Sequence, residues 1–334
     1  MKWSYLIVVT ILAFGISNCQ AQTKKKMEKN NPLLCNPDSG ICEIPVKGQA
    51  ATESSNIKSE KKHIKVIYYT DPICSSCWGI EPQLRKLKLE YGNIIEMEYR
   101  MGGLLPDWSY NSGGISKPSD VAHHWDEVSV YYDMPIDGDI WLEDPLQSSY
   151  PPSIAVKAAQ LQNHEKALLF LREIREMVFL KKLNITKWEN LESAAKSVGL
   201  NLNKFKDDYN GRAKELFNED LTLAKQLGVR GFPTMFFTDT SGKTETVYGS
   251  KPYDAFEGAI IKLLPDVQKI NYDKSTAAVF SQYQSLTAKE YSVLTGTARS
   301  QSEQVLSDLV ANGILEKLTT KNGSIWKLKN KGQK

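Results

Sequence analysis

Asp71-Pro72-Ile73-Cys74-Ser75-Ser76-Cys77-Trp78-Gly79 follows directly on His63-Ile64-Lys65-Val66-Ile67-Tyr68-Tyr69, a run that reads as a β-strand. A strand, a short turn and then two cysteines separated by two residues is the arrangement of dithiol–disulfide chemistry. The turn Thr70-Asp71-Pro72-Ile73 delivers Cys74 to the first turn of a helix. Unpaired backbone N–H groups and the positive end of the helix dipole favour an anionic sulfur there. Cys77, three residues on, shares that helix face and lies within disulfide reach. Cys74 is therefore expected to attack a substrate disulfide and Cys77 to resolve the mixed disulfide; the reverse sequence oxidises a substrate. The blander readings are half a zinc site or two core cysteines. A zinc half-site needs two more ligands, and the other close pair, Cys35 and Cys42, has six residues between its members and no His-x-x-x-His beside it.

A second signal lies far downstream. Gly228-Val229-Arg230-Gly231-Phe232-Pro233-Thr234 leads into the apolar run Met235-Phe236-Phe237 and the turn Asp239-Thr240-Ser241-Gly242. Proline at the start of a strand, after glycine and an aromatic, suits a tight turn with a cis Phe232-Pro233 bond. Together with the upstream cysteines, this pattern is specific. Asp71 to Gly79 with Val229 to Thr234 resembles the thioredoxin-fold DsbA family, and within it the branch of FrnE-like oxidoreductases and ClpXP adaptors of Spx degradation, which carries Asp-Pro-x-Cys-x-x-Cys-Trp. The resemblance covers about residues 62 to 265. It implies a cis Pro233 packed against the dithiol, substrate-binding roles for Phe232, Thr234 and Trp78, and a helix kink at Pro82.

The chain departs from strongly oxidising members of that family, which place Pro-His between their cysteines. Ser75 and Ser76 supply hydroxyl donors and no positive charge. The Cys74 pKa is accordingly expected between about 3.5, the DsbA extreme, and about 8.5, that of a free thiol. The direction of electron flow stays open.

With 334 residues, 41% hydrophobic and 24% charged, the chain has material for a core and more than one domain. A net charge of +3 points to no large polyanion as partner. Residues 1–21 read as an export leader: Lys2 is the positive start, Tyr5 to Gly15 an apolar stretch too short for a comfortable span. Ile16-Ser17-Asn18-Cys19 resembles a lipobox with Cys19 as the lipidated residue, although Asn18 is atypical; Cys19-Gln20-Ala21 also fits a signal peptidase site. A lipid-anchored envelope location is expected, or a cytoplasmic one should translation start at Met27. Removing Cys19 leaves four of the five cysteines, in two close pairs. Cys35 and Cys42, within the linker 22–61, are expected to form a structural disulfide, with a redox relay to Cys74–Cys77 as the alternative. Around them the linker is polar and Lys-rich.

Residues 62–266 form the expected thioredoxin domain, but about residues 104–227 exceed the bare fold. After the strand Ile94 to Tyr99 and a Gly/Pro/Ser-rich loop, helical periodicity runs over Ser153–Leu161, Glu165–Leu180, Lys187–Val198 and Leu202–Leu227. Resemblance makes this the helical insertion of DsbA-like proteins, capping the dithiol. Trp108, Tyr110, Trp125, Tyr131, Tyr132 and Trp141 concentrate at its start and read as core, with a substrate groove as the alternative. His123 and His124 are adjacent and point apart on a helix, which disfavours a metal site. The strand Glu245–Tyr248 and helix Pro252–Leu264 complete the domain. Residues 272–334 read as a small winged-helix-like module: helices over 285–294 and 300–312, then a hairpin around Lys321-Asn322-Gly323. Its nine Lys and Arg against five Asp and Glu from residue 271 onward are a modest excess, and nucleic acid is not expected as a partner.

The reading is an α/β protein, a DsbA-like thioredoxin fold with a helical insertion and a C-terminal module. Its expected activity is thiol–disulfide oxidoreduction of cysteine-containing protein substrates, recycled by an unidentified redox partner, with no cofactor and no metal. The competing reading is a non-enzymatic adaptor that presents a protein to a protease; a copper carrier using Cys74 and Cys77 is a third.

Overall fold

A computed structural model describes residues 63–109 and 117–329, together with the backbone of two short strands, β1 (Cys35–Asn36) and β2 (Ile41–Glu43). The leader, Cys19, Met27, the linker outside those strands and Tyr110 lie outside the described residues. The central strand is β3 (Ile64–Thr70), followed by α1 (Ser75–Gly79), α2 (Glu81–Tyr91) and β4 (Ile95–Met101). β4 pairs parallel to β3, with Tyr68 opposite Tyr99. Ile64, Val66 and Tyr68, which share one face of β3, are wholly buried, while Lys65 on the other face is exposed.

The insertion comprises α3 (Pro118–Tyr132), α4 (Ile140–Glu143), α5 (Tyr150–Gln160), α6 (His164–Leu180), α7 (Trp188–Ser197), α8 (Leu202–Asn210) and α9 (Arg212–Gln226). α5 lies at its centre, against α6, α8 and α9. The single helix expected over 202–227 is two. Gly211, with φ −117° and ψ −112°, is both the end of α8 and the start of α9. Asn and Gly are poor helix formers, and the pair Asn210-Gly211 breaks the run while the apolar face continues beyond it. Asp220 on α9 fastens the insertion to the sheet. Its buried carboxylate accepts from the Met101 N–H at 2.9 Å and pairs with Arg100 at 2.7 Å and Lys157 at 2.8 Å.

The chain then returns through β5 (Gly231–Phe232), β6 (Thr234–Asp239), β7 (Thr244–Tyr248) and α10 (Tyr253–Leu263). β6 runs antiparallel to β3 and β7 to β6, giving the sheet order β4-β3-β6-β7. The Phe232-Pro233 peptide is cis. β5 instead joins a second small sheet, in the order β1-β2-β5.

The C-terminal module contains α11 (Thr276–Gln282), β8 (Ser285–Thr287), α12 (Ala288–Thr295), α13 (Arg299–Ala311), β9 (Leu315–Thr320) and β10 (Gly323–Leu328). Its sheet order is β8-β10-β9. The helix expected from 285 begins three residues later. Ser285–Thr287 pairs with β10, and Thr287 caps α12 by accepting from the Glu290 N–H while the Glu290 carboxylate accepts from the Thr287 N–H. The module has its own apolar core around Val279, Phe280, Leu286, Leu294, Leu306 and Trp326.

Buried ions join the module to the thioredoxin domain. The Glu290 carboxylate is paired with Arg172 at 2.8 Å and Arg85 at 3.3 Å. Arg172 also holds Glu176 at 2.8 Å, which pairs with Lys327 at 2.6 Å. Arg85 donates to the Ser285 carbonyl at 2.7 Å and stacks over the Tyr283 ring at 4.5 Å. Burial opposes ionisation of both acids, yet Arg172 with Arg85 holds the Glu290 carboxyl below its usual range, and Arg172 with Lys327 brings Glu176 down to about 2.

Candidate functional site

β3 ends at Thr70, and the next three residues form a turn fixed by Asp71. The Asp71 carboxylate accepts from the Ile73 N–H at 3.0 Å, from the Leu104 N–H at 2.8 Å and from the Ser149 hydroxyl at 2.8 Å. The Asp71 carbonyl accepts from the Cys74 N–H at 3.2 Å. This places Cys74 at the N-cap of α1, where its sulfur accepts from the Cys77 N–H at 3.1 Å. Cys74 and Cys77 are joined as a disulfide, with Cα atoms 5.2 Å apart. Both are wholly buried. The helix is interrupted at Ile80, and α2 resumes with Pro82 in its first turn.

A guanidinium lies under the same turn. Arg175 on α6 is fully buried and donates to the Thr70 hydroxyl at 2.5 Å and to the Asp71 carbonyl at 3.3 Å, with Glu81 as its ion partner at 2.6 Å. The insertion thus places a cation, paired with Glu81, under the turn that leads to Cys74. In the sequence, Arg175 is one charge among several on a helix and gives no sign of facing inward.

Desolvation pushes the Asp71 carboxyl up to about 6, against the pull of its hydrogen bonds from Leu104, Ile73 and Ser149 and of Arg175. A carboxyl whose folded pKa exceeds its unfolded value binds its proton more tightly in the folded chain. Its stabilising contribution is full below about pH 4 and is lost as the pH rises through about 6. Asp71→Asn removes that titration, so the variant should gain on the order of 3 kcal/mol relative to wild type between about pH 4 and pH 7.5. Urea unfolding of both proteins at the two pH values measures it. A constant difference between them would mean that folding does not raise the Asp71 pKa.

The other edge of the site is the cis-proline strand. Thr234 lies opposite Tyr69 in the β3–β6 register, so Pro233 stands beside the end of β3 from which the cysteine turn springs. The Thr234 hydroxyl donates to the Gly231 carbonyl at 2.7 Å. Phe232 is wholly buried, its ring lying against Gly102 so closely that a Cβ there would sit 1.7 Å from the ring. Gly102→Ala should therefore cost about 1–3 kcal/mol, because the ring of Phe232 must be displaced; equilibrium denaturation measures this, and an unchanged midpoint would refute it.

Trp78, expected to meet substrate, is instead core. It is wholly buried, donates from Nε1 to the Pro135 carbonyl at 3.1 Å, stacks on Phe179 at 5.5 Å and carries Arg172 over its ring at 4.3 Å. The aromatic series continues inward from Phe179 to Trp125 at 4.7 Å, Trp141 at a further 5.2 Å and Trp108 at 5.9 Å. Trp125 and Trp141 are buried and Trp108 half-buried against them, so the series is packing, while Tyr131 is exposed. Tyr132 caps the dithiol helix: its hydroxyl meets the Ser76 hydroxyl at 2.7 Å, and its ring lies against Gly79. His123 faces Glu127 at the surface while His124 is buried and pushed down to about 3 by desolvation. Among the described residues, no group of His, Cys, Asp and Glu could hold a metal.

Fold and site together define a thioredoxin-fold protein with a bonded Cys-x-x-Cys at a helix start beside a cis proline. The thioredoxin family model matches residues 68–258. The chain is 32% identical to the ClpXP adapter protein SpxH of Halalkalibacterium halodurans, over 89% of this chain and 97% of that one. It is 28% identical to SpxH of Bacillus subtilis, over 80% and 90%. A structure from Nitrosomonas europaea, designated a protein disulfide isomerase, superposes with a TM-score of 0.54 at 21% identity, covering 61% of this chain and 98% of that one. The chain belongs to the DsbA-like thioredoxin-fold family, in the branch that holds the SpxH proteins.

That membership corrects the expected lipid-anchored envelope location. The relatives that match along nearly their whole length are named as adapters of ClpXP, and an adapter must share a compartment with the protease it serves. The envelope reading rested on an eleven-residue apolar run and an atypical lipobox, both outside the described residues. Among the described residues, no helix is long and apolar enough to cross a membrane.

Proposed function

We propose that the protein is a thiol–disulfide oxidoreductase in which Cys74 exchanges with cysteines of protein substrates and Cys77 resolves the mixed disulfide. The observation that carries this is the Cys74–Cys77 bond at the start of α1, with Asp71 and Arg175 shaping the turn that presents it. A reduced Cys74 would receive the Cys77 N–H at the start of α1, which favours a thiolate. Phe232, Pro233 and Thr234 would receive the substrate backbone. No cofactor is required, since the electrons move between sulfur atoms.

The reduction potential should fall between about −270 mV and −120 mV, the values of thioredoxin and DsbA. Equilibration with glutathione buffers and mass spectrometry of trapped thiols measures it. A pair that does not interconvert with glutathione, in a chain that neither reduces insulin nor oxidises a reduced protein, would overturn the enzyme reading.

The names of the relatives favour a second reading, an adaptor that presents a protein to ClpXP. The two separate on one variant. An adaptor would keep delivering its protein to the protease with both Cys74 and Cys77 replaced by serine, whereas the oxidoreductase would lose its activity.

A further inference from the structure

Cys74 and Cys77 are wholly buried, and the N-terminal hairpin approaches the helix they open. In that hairpin Cys35 stands opposite Cys42. Directly opposed residues of an antiparallel pair have Cα atoms about 4.5–5.5 Å apart, inside the 4.4–6.8 Å range of disulfides. β2 also pairs antiparallel with β5, with Cys42 opposite Phe232 and Glu43 opposite Gly231. Cys42 is therefore a register partner of the residue that precedes the cis proline. β2 also comes within 8 Å, Cα to Cα, of α1, the helix that contains Cys77. A strand added to the β5 edge is the position an extended peptide substrate would take by main-chain pairing. A purely structural staple could sit anywhere along the linker; this pair lies on the strand that runs beside the residue before the cis proline.

We propose that Cys35 and Cys42 are a second redox pair that exchanges electrons with Cys74–Cys77 within one chain, Cys42 being the attacked sulfur. The proposal rests on the oxidoreductase reading of Cys74–Cys77. In the forward step the Cys74 thiolate attacks the Cys42 sulfur of a Cys35–Cys42 disulfide. The Cys74–Cys42 bond forms, the Cys35–Cys42 bond breaks, and Cys35 leaves as the thiolate with the electron pair. The Cys77 thiolate then attacks the Cys74 sulfur and releases Cys42. Two electrons pass from Cys74/Cys77, now a disulfide, to Cys35/Cys42, now a dithiol. The reverse steps recharge the first pair.

Full-length Cys19→Ser/Cys35→Ala/Cys77→Ala retains one cysteine of each pair. At low protein concentration with oxidised glutathione, non-reducing proteolysis and mass spectrometry should find a Cys42–Cys74 linkage. Cys19→Ser/Cys42→Ala/Cys77→Ala should form the corresponding Cys35–Cys74 linkage at least tenfold less. Equal yields, or no linkage in either, would overturn the proposal. A measurement without cavity-forming substitutions accompanies it. The fully oxidised wild-type chain receives one equivalent of phosphine, and the reduced fraction of each pair is followed by thiol trapping. Re-equilibration at a rate independent of protein concentration is expected, while a rate proportional to concentration would mean transfer between chains and sink the relay. Insulin reduction by the wild-type chain separates the two failures: activity without internal exchange defeats the relay alone, and a chain inactive on insulin with an inert Cys74–Cys77 pair defeats the oxidoreductase reading along with it.

Discussion

Cys74→Ser should reduce the rate of insulin reduction by roughly 10³-fold or more, to the level of the uncatalysed thiol reaction. The reason lies in the ionisation of the attacking atom. A serine hydroxyl at the N-cap of α1 would still accept the Cys77 N–H, and it is a good capping group, so the helix start should survive intact. What disappears is the sulfur that the proposed exchange requires as its nucleophile. Cys77→Ser makes the complementary point. It should leave the first attack in place and remove the resolving thiol, so that substrates accumulate as mixed disulfides on Cys74, visible as reducible higher-mass species. Trapping on Cys77 in Cys74→Ser at an equal rate would reverse the roles assigned to the two sulfurs.

Glu290→Gln should destabilise the protein by about 3–5 kcal/mol, the range for removing one partner of a buried ion pair. The amide is nearly isosteric and keeps an acceptor for the Thr287 N–H, so the capping box of α12 persists. The loss is the charge facing Arg172 and Arg85, both largely buried. Chemical denaturation measures the difference, with Glu303→Gln as control: Glu303 pairs with Arg299 at the surface and should change stability by less than about 0.5 kcal/mol. Equal midpoints for the two variants would show that the buried network contributes nothing net. The pH dependence has a definite sign. Glu176 is held well below the unfolded value of a glutamate, so its contribution is present above about pH 4.5 and falls away toward about pH 2.

The dithiol and the cis-proline strand could be read from the chain because each depends on local chemistry: cysteine spacing after a strand, and Gly231-Phe232-Pro233 before another. The helices of the insertion from α5 to α7 were legible for a similar reason, since their apolar positions recur at helical spacing. α3 was harder. Val121, Trp125, Val128 and Tyr132 form its buried face; the concentration of aromatics reads as core, with a groove as the alternative, and does not by itself mark out the helix. The break at Gly211 was hidden because Ala213, Leu216 and Phe217 resume the apolar face that Phe205 and Tyr209 begin. Charges misled in a different way. Arg172, Arg175 and Glu176 on α6 look like a solvated face, and only the tertiary placement of Glu290, Glu81 and Lys327 makes them interior. Trp78 illustrates the same limit from the apolar side: the resemblance implied contact with substrate, while Phe179 and the Pro135 carbonyl, far along the chain, claim its ring.

Arg172 belongs to two neighbourhoods at once, with its guanidinium over the ring of Trp78 and its charge answered by Glu290 of the C-terminal module. Its position makes the module a poor candidate for excision. A chain cut after Pro265 would keep Arg172 and Arg85 but lose Glu290, and would keep Glu176 but lose Lys327. The remainder would not be a trimmed enzyme with its centre untouched. It would leave Arg172 and Arg85 without Glu290 and Glu176 without Lys327, with Arg172 directly over Trp78 of the dithiol helix, so the smallest unit that preserves the site extends through β10.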